Sequence, residues 1–342
     1  MRASFLIVFF LSTFFALSFG QGIQLDIETK LPVSEKFYFG HVSDASVLPN
    51  GSIIVLDSQK NQLLKFNSSG ILQDTVAREG KGPGELSGPL DLATGPSGKI
   101  AVFDIKNVRI TFWDAKGNYI QDYAENGGWG ASLDWNNKGE LVFRRHPFQP
   151  DENGNRVISF TGVDTNNGEK TKEGVIPLTS QFDSQYTCVF CRWTLTNEST
   201  IITALNDTKY EFYELTIDGK KVRSWRRKGM EPVRYSEREL EQIKQKRKES
   251  PIQVSKDKPL PTYKDWFKSF EIDSKNRIWV QVATKDGQSA FDIFDMSGAF
   301  LQRITIDREI LMLELKRGLV LARTDEPTQP SQVLIYRFYD YN

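Results

Sequence analysis

Two stretches of the sequence align with each other over their whole length, and they decide the fold. The first is LPNGSIIVLDSQKNQLLKFNSSGIL (residues 48–72) and the second is GPSGKIAVFDIKNVRITFWDAKGNYI (residues 95–120). Each reads as a turn glycine, a short apolar strand, an Asp-containing turn, a strand that ends in an aromatic residue, and another turn glycine. The alignment places Gly51 on Gly98, Ile53 on Ile100, Val55 on Val102, Asp57 on Asp104, Phe66 on Phe112 and Gly70 on Gly117.

The same unit recurs four more times with looser spacing. The later units begin with NNKGELVF (136–143), NESTIITA (197–204), SKNRIWVQV (274–282) and LKRGLVLA (315–322). Repeats of about 40 to 50 residues, built from short strands and turn glycines, are typical of β-propellers with one four-stranded blade per unit. The sequence therefore predicts an all-β, six-bladed propeller rather than a β-sandwich, which would not explain the repeated Gly/Asp register.

The two ends of the chain are predicted to meet in one blade. The chain ends inside the sixth unit, and a strand-like segment, IQLDIE (23–28), precedes the first unit. If this segment supplies the missing strand of the last blade, the ring closes and no sheet edge is left at a gap.

The glycine-rich stretch REGKGPGELSGP (78–89) is predicted to cross from one blade to the next. A phosphate-binding loop needs Gly-x-x-x-x-Gly-Lys followed by Ser or Thr and then a helix. Here Lys81 is followed by Gly-Pro, and the next segment, LDLATGPSG, reads as a strand and a turn. The stretch is therefore not a nucleotide site.

Two segments carry a resemblance to known propellers. Residues 80–117, GKGPGELSGPLDLATGPSGKIAVFDIKNVRITFWDAKG, resemble NHL-type repeats, although Leu86 stands where Phe is commoner. Residues 260–280, LPTYKDWFKSFEIDSKNRIWV, look like the start of a blade in the exported bacterial six-bladed β-propeller family. This resemblance covers nearly the whole chain after residue 20. It implies the fold but no particular activity, because that family has no single established one.

The first twenty residues read as a secretory signal peptide. Arg2 precedes an apolar run from Phe5 to Leu17, and Ser18 and Gly20 stand at plausible cleavage positions. No cysteine follows the run, so a lipid anchor is not indicated, and no later segment is apolar enough to span a bilayer. We expect a signal peptide over residues 1–20 and a secreted or periplasmic propeller over residues 21–342.

The total charge is balanced, but one segment is strongly basic. The chain has 44 basic and 44 acidic residues, which gives no global sign of nucleic-acid binding. Residues 220–248, in contrast, contain twelve Lys or Arg and four Glu, a local net charge of +8. Such a segment attracts an anionic partner, such as an acidic protein or glycan, or it is only a solvated surface.

A helical insertion is predicted within this basic region, at about residues 234–250. Ser236 followed by Glu239 is a capping-box pattern, and good helix formers continue to the residues before Pro251. We expect one helix over about 236–248, with a thin apolar face formed by Leu240 and Ile243. It is either a solvated insertion or a helix that acts as a lid or binds a partner.

The candidate ligand or partner surface combines this basic region with one aromatic loop. Trp129 in NGGWGASLDW is either an exposed stacking platform or a buried side chain at a blade seam. The surface residues are Trp129, Arg226, Arg227, Lys228, Arg234, Lys244, Lys246, Arg247 and Lys248.

The two cysteines, Cys188 and Cys191 in QYTCVFCRW, lie close together. In an exported protein they form a disulfide or remain as two buried thiols. Haem attachment would need His after the second cysteine, and this chain has Arg192. A zinc site would need two more Cys or His ligands, and the only histidines are His41 and His146. Residues three apart in an extended strand lie about 10 Å apart, so a disulfide requires a turn.

The sequence contains no complete catalytic motif. His41 and His146 are the only histidines, and they fall in distant units. Asp44, Asp91, Asp134 and Asp273 lie near predicted inner strands, although their spacing matches no metal motif. The sequence thus favours an extracytoplasmic binding or scaffold module with no cofactor. The alternative is a lactonase-type hydrolase with Ca²⁺ at the central channel, as in propeller lactonases, which hold calcium through Glu, Asn and Asp at the channel mouth.

Overall fold

The computed structural model describes residues 22–32, 37–125, 129–146, 149, 152–154, 157–167, 169–177, 193–204, 209–249, 259–285, 287–324 and 330–340. Within these ranges the strands form six separate antiparallel sheets, and each sheet contains four strands. The innermost strands of the six sheets contact one another in a closed circle. The fold is therefore a six-bladed β-propeller, as the repeats predict.

The first three blades follow the chain order from the inner strand to the outer strand. Blade 1 consists of β2 (Val42–Val47), β3 (Ile53–Asp57), β4 (Gln62–Phe66) and β5 (Leu72–Ala77). Blade 2 consists of β6 (Pro89–Thr94), β7 (Ile100–Asp104), β8 (Arg109–Trp113) and β9 (Tyr119–Ala124). Blade 3 consists of β10 (Trp129–Trp135), β11 (Leu141–His146), β12 (Val157–Val163) and β13 (Lys170–Pro177).

The last three blades include the helix and the closure of the ring. Blade 4 consists of β14 (Trp193–Leu195), β15 (Ile201–Thr203), β16 (Glu211–Leu215) and β17 (Lys221–Arg226), and α1 (Glu237–Glu249) follows it. Blade 5 consists of β18 (Phe267–Ile272), β19 (Ile278–Val282), β20 (Ser289–Phe294) and β21 (Phe300–Ile306). Blade 6 consists of β22 (Leu311–Lys316), β23 (Leu319–Thr324), β24 (Gln332–Asp340) and β1 (Ile23–Leu31).

The N-terminal strand closes the ring, which confirms the prediction for this segment. β1 is the outermost strand of blade 6 and pairs antiparallel with β24, from Ile23 opposite Asp340 to Leu31 opposite Val333. The side chain of Gln302 in blade 5 accepts a hydrogen bond from the N–H of Ile23 and donates one to its carbonyl, at 2.9 and 2.8 Å. The first strand is thereby bound to two blades.

The middle strands contain unbroken runs of apolar residues because each blade packs between two neighbouring blades. All five residues of β3 are buried. Ile53 and Val55 pack towards blade 6, whereas Ile54 and Leu56 pack towards blade 2. A strand buried on both faces favours consecutive apolar residues, which explains the run IIVL before Asp57.

The turn glycines of the aligned units adopt left-handed backbone conformations. Gly51 and Gly98 have φ of 81° and 86°, a region that favours glycine. One detail of the sequence alignment is wrong, however. Phe66 pairs with Ile53 and Trp113 pairs with Ile100, so the counterpart of Phe66 is Trp113 rather than Phe112.

The glycine-rich stretch 78–89 forms the predicted crossing between blades 1 and 2. Arg109 holds it by donating to the carbonyls of Gly82 and Glu85 at 2.7 and 2.8 Å, and it also pairs with Asp122. Leu86 is fully buried between the two blades. The glycines therefore allow a tight loop, and the Arg109 guanidinium fixes this loop through two main-chain carbonyls.

The helix lies where the capping box predicts it, over Glu237–Glu249. Glu239 N–H donates to Ser236 Oγ, and Ser236 N–H donates back to Glu239 Oε2 at 2.9 Å. Lys264, before the first strand of blade 5, donates to Glu239 Oε1 and to the carbonyl of Thr284. Leu240 and Ile243 are half-buried. The N-terminus of α1 is thus fixed to blade 5.

Candidate ligand-binding channel

A cavity of about 350 Å³ lies on the axis of the ring. All six inner strands contribute to its wall, because in a propeller these strands surround the central channel. Its charged side chains are Asp44, Asp91, Asp134, Arg144, Lys268, Glu271, Glu314 and Lys316.

Three of the four aspartates singled out by the sequence lie in this wall and bind the next blade. Asp44 Oδ2 accepts a hydrogen bond from the main-chain N–H of Leu92 at 3.0 Å. Asp91 Oδ2 accepts one from Leu133 at 2.5 Å. Asp134 Oδ2 accepts one from the N–H of Leu195 at 2.6 Å. Each carboxylate therefore joins the inner strands of two neighbouring blades.

Two glutamates continue the same arrangement around the ring. Glu271 accepts a hydrogen bond from the main-chain N–H of Leu315. Glu314 Oε2 accepts one from the N–H of Val47 at 2.9 Å, which joins blade 6 to blade 1. Five of the six seams are therefore bridged by a carboxylate.

The remaining seam, between blades 4 and 5, differs from the others. No carboxylate of the described residues bridges the inner strands β14 and β18, and Thr194 of β14 donates backwards to Asp134 at 3.0 Å. This seam is held further out instead. There Tyr210 and Arg227 both donate to the fully buried Asp292, at 2.5 and 2.8 Å.

A lysine ammonium occupies one side of the cavity. Lys316 Nζ donates to the carbonyl of Thr94 at 2.5 Å and to Glu314 Oε1 at 3.2 Å. Ser46 also donates to Glu314 Oε1, at 2.7 Å. The channel wall is therefore able to hold a primary ammonium through a carboxylate and a carbonyl.

Desolvation raises the pKa values of the three aspartates in the channel wall. Burial, together with the neighbouring Asp91 carboxylate, raises the pKa of Asp44 well above its usual range. Burial raises the pKa of Asp91 to about 7, although the Leu133 N–H and Arg144 oppose the shift. Burial likewise raises the pKa of Asp134 to about 6. The protonation of these three aspartates consequently extends towards neutral pH.

Glu271 behaves in the same way. Burial raises the pKa of Glu271 well above its usual range, and the charges of Asp134 and Glu314 add to the shift, while Lys316 opposes it. Neighbouring carboxylates in one narrow channel repel each other, so a proton or another cation is favoured between them.

Asp273 and the two histidines lie outside the cavity wall. Asp273 follows β18 and accepts hydrogen bonds from Arg277 Nε and Trp279 Nε1 at 2.7 and 3.0 Å, so it stabilises a turn. His41 is exposed before β2, and His146 is buried at the end of β11. None of the three lines the channel.

Sequence reasoning missed Arg144, Glu271, Glu314 and Lys316. Glu271 and Glu314 stand in the inner strands FKSFEI and LMLELK, next to apolar residues. An acidic residue within a strand that packs on both sides was the available signal. Arg144 is fully buried on the second strand of blade 3, where the sequence gives no sign that its side chain reaches the channel.

The candidate basic residues lie along the outside of blade 4 and on α1. Arg226 pairs with Glu211, Arg227 with Asp292 and Lys244 with Glu241. Arg234 stacks on the ring of Tyr263, with its guanidinium carbon 5.0 Å from the ring centre. None of these residues, and no other described residue of α1, lines the channel. The structure therefore separates this surface from the channel.

Several predicted features fall outside the described residues. They are the signal peptide, the cysteine pair Cys188 and Cys191, and the side chains of Trp129 and Lys246. The backbone of Trp129 begins β10, opposite His146.

The part of the chain that the structure describes contains neither a metal-binding cluster nor a membrane-spanning helix. No group of three or more His, Cys, Asp or Glu side chains there has the geometry of a metal site. None of its helices has the length and apolar character that a bilayer span requires.

A ring of six blades around a polar channel defines the class: the chain is a six-bladed β-propeller. Residues 28–126 match the model of the DUF5128 family, which is described as a 6-bladed beta-propeller. The six-bladed propeller that the resemblance implied is thereby confirmed. No curated protein matches the sequence.

Three solved structures with similar folds come from Bacteroides species. A candidate exported protein of Bacteroides fragilis NCTC 9343 is 13% identical, with a TM-score of 0.57, over 93% of this chain and 95% of that one. A DUF4221 family member of Bacteroides vulgatus ATCC 8482 is 11% identical, also with a TM-score of 0.57, over 93% and 98%. A Bacteroides thetaiotaomicron VPI-5482 protein of unknown function is 9% identical, with a TM-score of 0.51, over 94% and 77%. At these identities the likeness concerns the fold.

Proposed function

We propose that the chain is an extracytoplasmic binding propeller whose ligand occupies the central channel. The observation that carries this proposal is the axial cavity of about 350 Å³, to which all six blades contribute. Small-molecule sites in proteins are commonly about 300 to 1,000 Å³ in volume and lie where several elements converge. The cavity is therefore large enough for a small ligand.

The chemistry of the wall indicates the class of ligand. Five carboxyl groups line the cavity, and hydrogen-bond acceptors therefore dominate its charged surface. Lys316 already places an ammonium against Glu314 and the Thr94 carbonyl. A small ligand that donates several hydrogen bonds, above all an amine, suits such a wall. Its charge also offsets the repulsion between carboxylates, which adds to burial in raising the pKa of Asp44 and Glu271.

The positions of the carboxylates favour binding over hydrolysis. Each of Asp44, Asp91 and Asp134 joins two blades through a main-chain N–H, so these groups are distributed around the ring. A calcium site needs six to eight oxygens converging at about 2.3–2.6 Å. A lactonase-type enzyme therefore remains the alternative that calcium binding would support.

The location outside the cytoplasm rests on the N-terminal sequence. Residues 1–20 have the charge, apolar run and cleavage positions of a signal peptide. Mass spectrometry of the protein secreted or released from the periplasm tests this directly. We expect the mature chain to begin at Gln21, and a cytoplasmic chain that keeps residues 1–20 would contradict the proposal.

Titration calorimetry tests the channel as a binding site. The probes are 1,4-diaminobutane and spermidine, with succinate and glucose as an anionic and a neutral comparison. We expect the amines to bind, and we expect binding at pH 7 to release protons, seen as an enthalpy that depends on the buffer. Amine binding should weaken in Glu271→Gln and persist in Asp74→Asn, because Asp74 lies on the exposed outer strand of blade 1. Equal binding by both variants, or none by wild type, would argue against the channel.

A further inference from the structure

The outer strand of blade 4 differs in charge from its counterparts. β17, with sequence KVRSWR, contains Lys221, Arg223 and Arg226 and no acidic residue. The outer strands of blades 1 and 2, LQDTVA and YIQDYA, each contain an aspartate and no basic residue. The other three outer strands contain KTKEGVIP, FLQRITI and IQLDIETKL, with at most two basic residues each. Because the six strands occupy equivalent positions, the fold itself does not require a basic sequence here.

The arginines of this strand are held in place by carboxylates that lie beneath them. The Arg223 side chain is 46% exposed, whereas its partner Glu214 is 4% exposed. The Arg226 side chain is 56% exposed, and its partner Glu211 is 11% exposed. The guanidinium groups are therefore presented outwards and the carboxylates inwards. A guanidinium fixed in this way loses little side-chain entropy when it binds an anion.

The basic surface continues beyond the strand. Arg227 follows β17 and binds the buried Asp292, which fixes the start of the connection to α1. Lys228 is exposed directly after it, and Lys244 and Lys248 are exposed in the second half of α1. The acidic first turn of α1 is bound to Lys264 through Glu239. Basic side chains therefore dominate the exposed part of this connection.

We propose that β17, Lys228 and the second half of α1 form a docking surface for an anionic polysaccharide. The argument is charge complementarity. The surface presents the guanidinium groups of Arg223 and Arg226, whose paired carboxylates are buried, and the exposed ammonium groups of Lys221, Lys228 and Lys248, which form no ion pair with a described carboxylate. A chain of carboxylated or sulfated sugars supplies matching anions. This surface is separate from the channel, so the proposal does not depend on the channel ligand.

The surface suits a hydrophilic chain better than other anionic partners. Protein interfaces have an apolar, aromatic-rich centre, whereas Val222 is the single exposed large apolar residue of β17. A membrane surface would likewise require apolar side chains to insert. Single-stranded nucleic acid is held by stacking on open aromatic faces, and the nearby Tyr263 is stacked against Arg234.

The test compares two triple charge reversals of equal size. Lys221→Glu/Lys228→Glu/Lys248→Glu alters the proposed surface, and Lys81→Glu/Lys106→Glu/Lys116→Glu alters blades 1 and 2. All six lysines are exposed and form no ion pair with a described carboxylate. The probes are heparin, polygalacturonate, neutral dextran and a 20-nucleotide single-stranded DNA, measured by calorimetry in 50 and 200 mM salt.

We expect heparin, polygalacturonate or both to bind wild type. Comparing the two distinguishes recognition of sulfate groups from recognition of carboxylate groups. Binding should weaken at least tenfold in the first variant, change less than twofold in the second, and weaken with salt. Equal loss in the two variants, tighter binding of DNA than of either polysaccharide, or no polysaccharide binding would overturn the proposal. If the first variant unfolds, the milder Lys228→Gln/Lys248→Gln variant carries the same comparison.

Discussion

Asp91 on the inner strand of blade 2 accepts a hydrogen bond from the main-chain N–H of Leu133 in blade 3, over 2.5 Å. The same carboxyl group faces the axial cavity and has a pKa raised by burial to about 7. The Asp91 side chain thus bridges two blades, and its pKa lies near neutral pH. The stability of the ring should therefore depend on pH through its channel.

Asp91→Asn should reduce the pH dependence of stability. A carboxyl whose pKa is raised on folding binds more protons in the folded state, so wild-type stability falls as the pH rises from about 4 to about 7. Since one pKa unit corresponds to about 1.4 kcal/mol, we expect the variant to gain about 1 kcal/mol or more on wild type between pH 5 and 7.5. Urea unfolding at both pH values measures this difference.

Asp74→Asn is the matched control for this experiment, because Asp74 lies on the exposed outer strand of blade 1. It should leave the pH dependence of wild type unchanged. An Asp91→Asn variant with the same pH dependence as the control would show that Asp91 titrates in its ordinary range.

Arg109→Lys should destabilise the crossing between blades 1 and 2. Arg109 donates to the carbonyls of Gly82 and Glu85 and pairs with Asp122, a geometry that lysine cannot reproduce. We expect a loss of about 1–3 kcal/mol, together with faster amide hydrogen exchange in residues 80–86. Arg78→Lys, an exposed position in the same loop, should change neither quantity. Unchanged exchange in Arg109→Lys would mean that the glycine-rich loop keeps its shape without the guanidinium.

Deleting β1 should open the ring. A chain that begins at Pro32 lacks the strand that pairs with β24 from Ile23 to Leu31. The free edge of β24 then becomes available for pairing with another molecule. Light scattering after size-exclusion chromatography should show aggregates or oligomers for this chain and unchanged behaviour for a chain that begins at Gly22. A monomeric, stable chain without β1 would show that closure contributes little.

Calcium discriminates between the two functions considered for the channel. For a binding propeller that uses its carboxylates to join blades, we expect EDTA and calcium to leave the thermal midpoint unchanged. A ligand that binds only the folded state raises the midpoint with its concentration. A calcium-dependent rise of several degrees, lost in Asp134→Asn and retained in Asp74→Asn, would support the lactonase-type alternative.

Local sequence signals predicted the fold because every blade repeats them. The left-handed turns at Gly51 and Gly98 and the buried strand residues between them recur at fixed spacing, so one alignment predicts several blades. The aromatic positions were less reliable. Matching residues by type put Phe66 on Phe112, whereas strand pairing puts Phe66 at the place of Trp113.

The channel was only partly predictable because its bonds join residues far apart in sequence. Asp44, Asp91 and Asp134 were found through their position near inner strands. Glu314, which binds Val47 at the opposite end of the chain, has no local feature that shows its partner. The ion pair between Arg227 and Asp292 is equally long-range. It fixes one end of a basic segment that, from the sequence, resembled a solvated surface.

The pairing of β1 with β24 means that the beginning and the end of the chain complete the same sheet. During synthesis, β1 lacks its hydrogen-bonding partner until β24 has been added. The ring therefore closes only after β24 is available to pair with β1. If the chain crosses a membrane before it folds, β1 must remain unpaired until β24 has emerged on the same side.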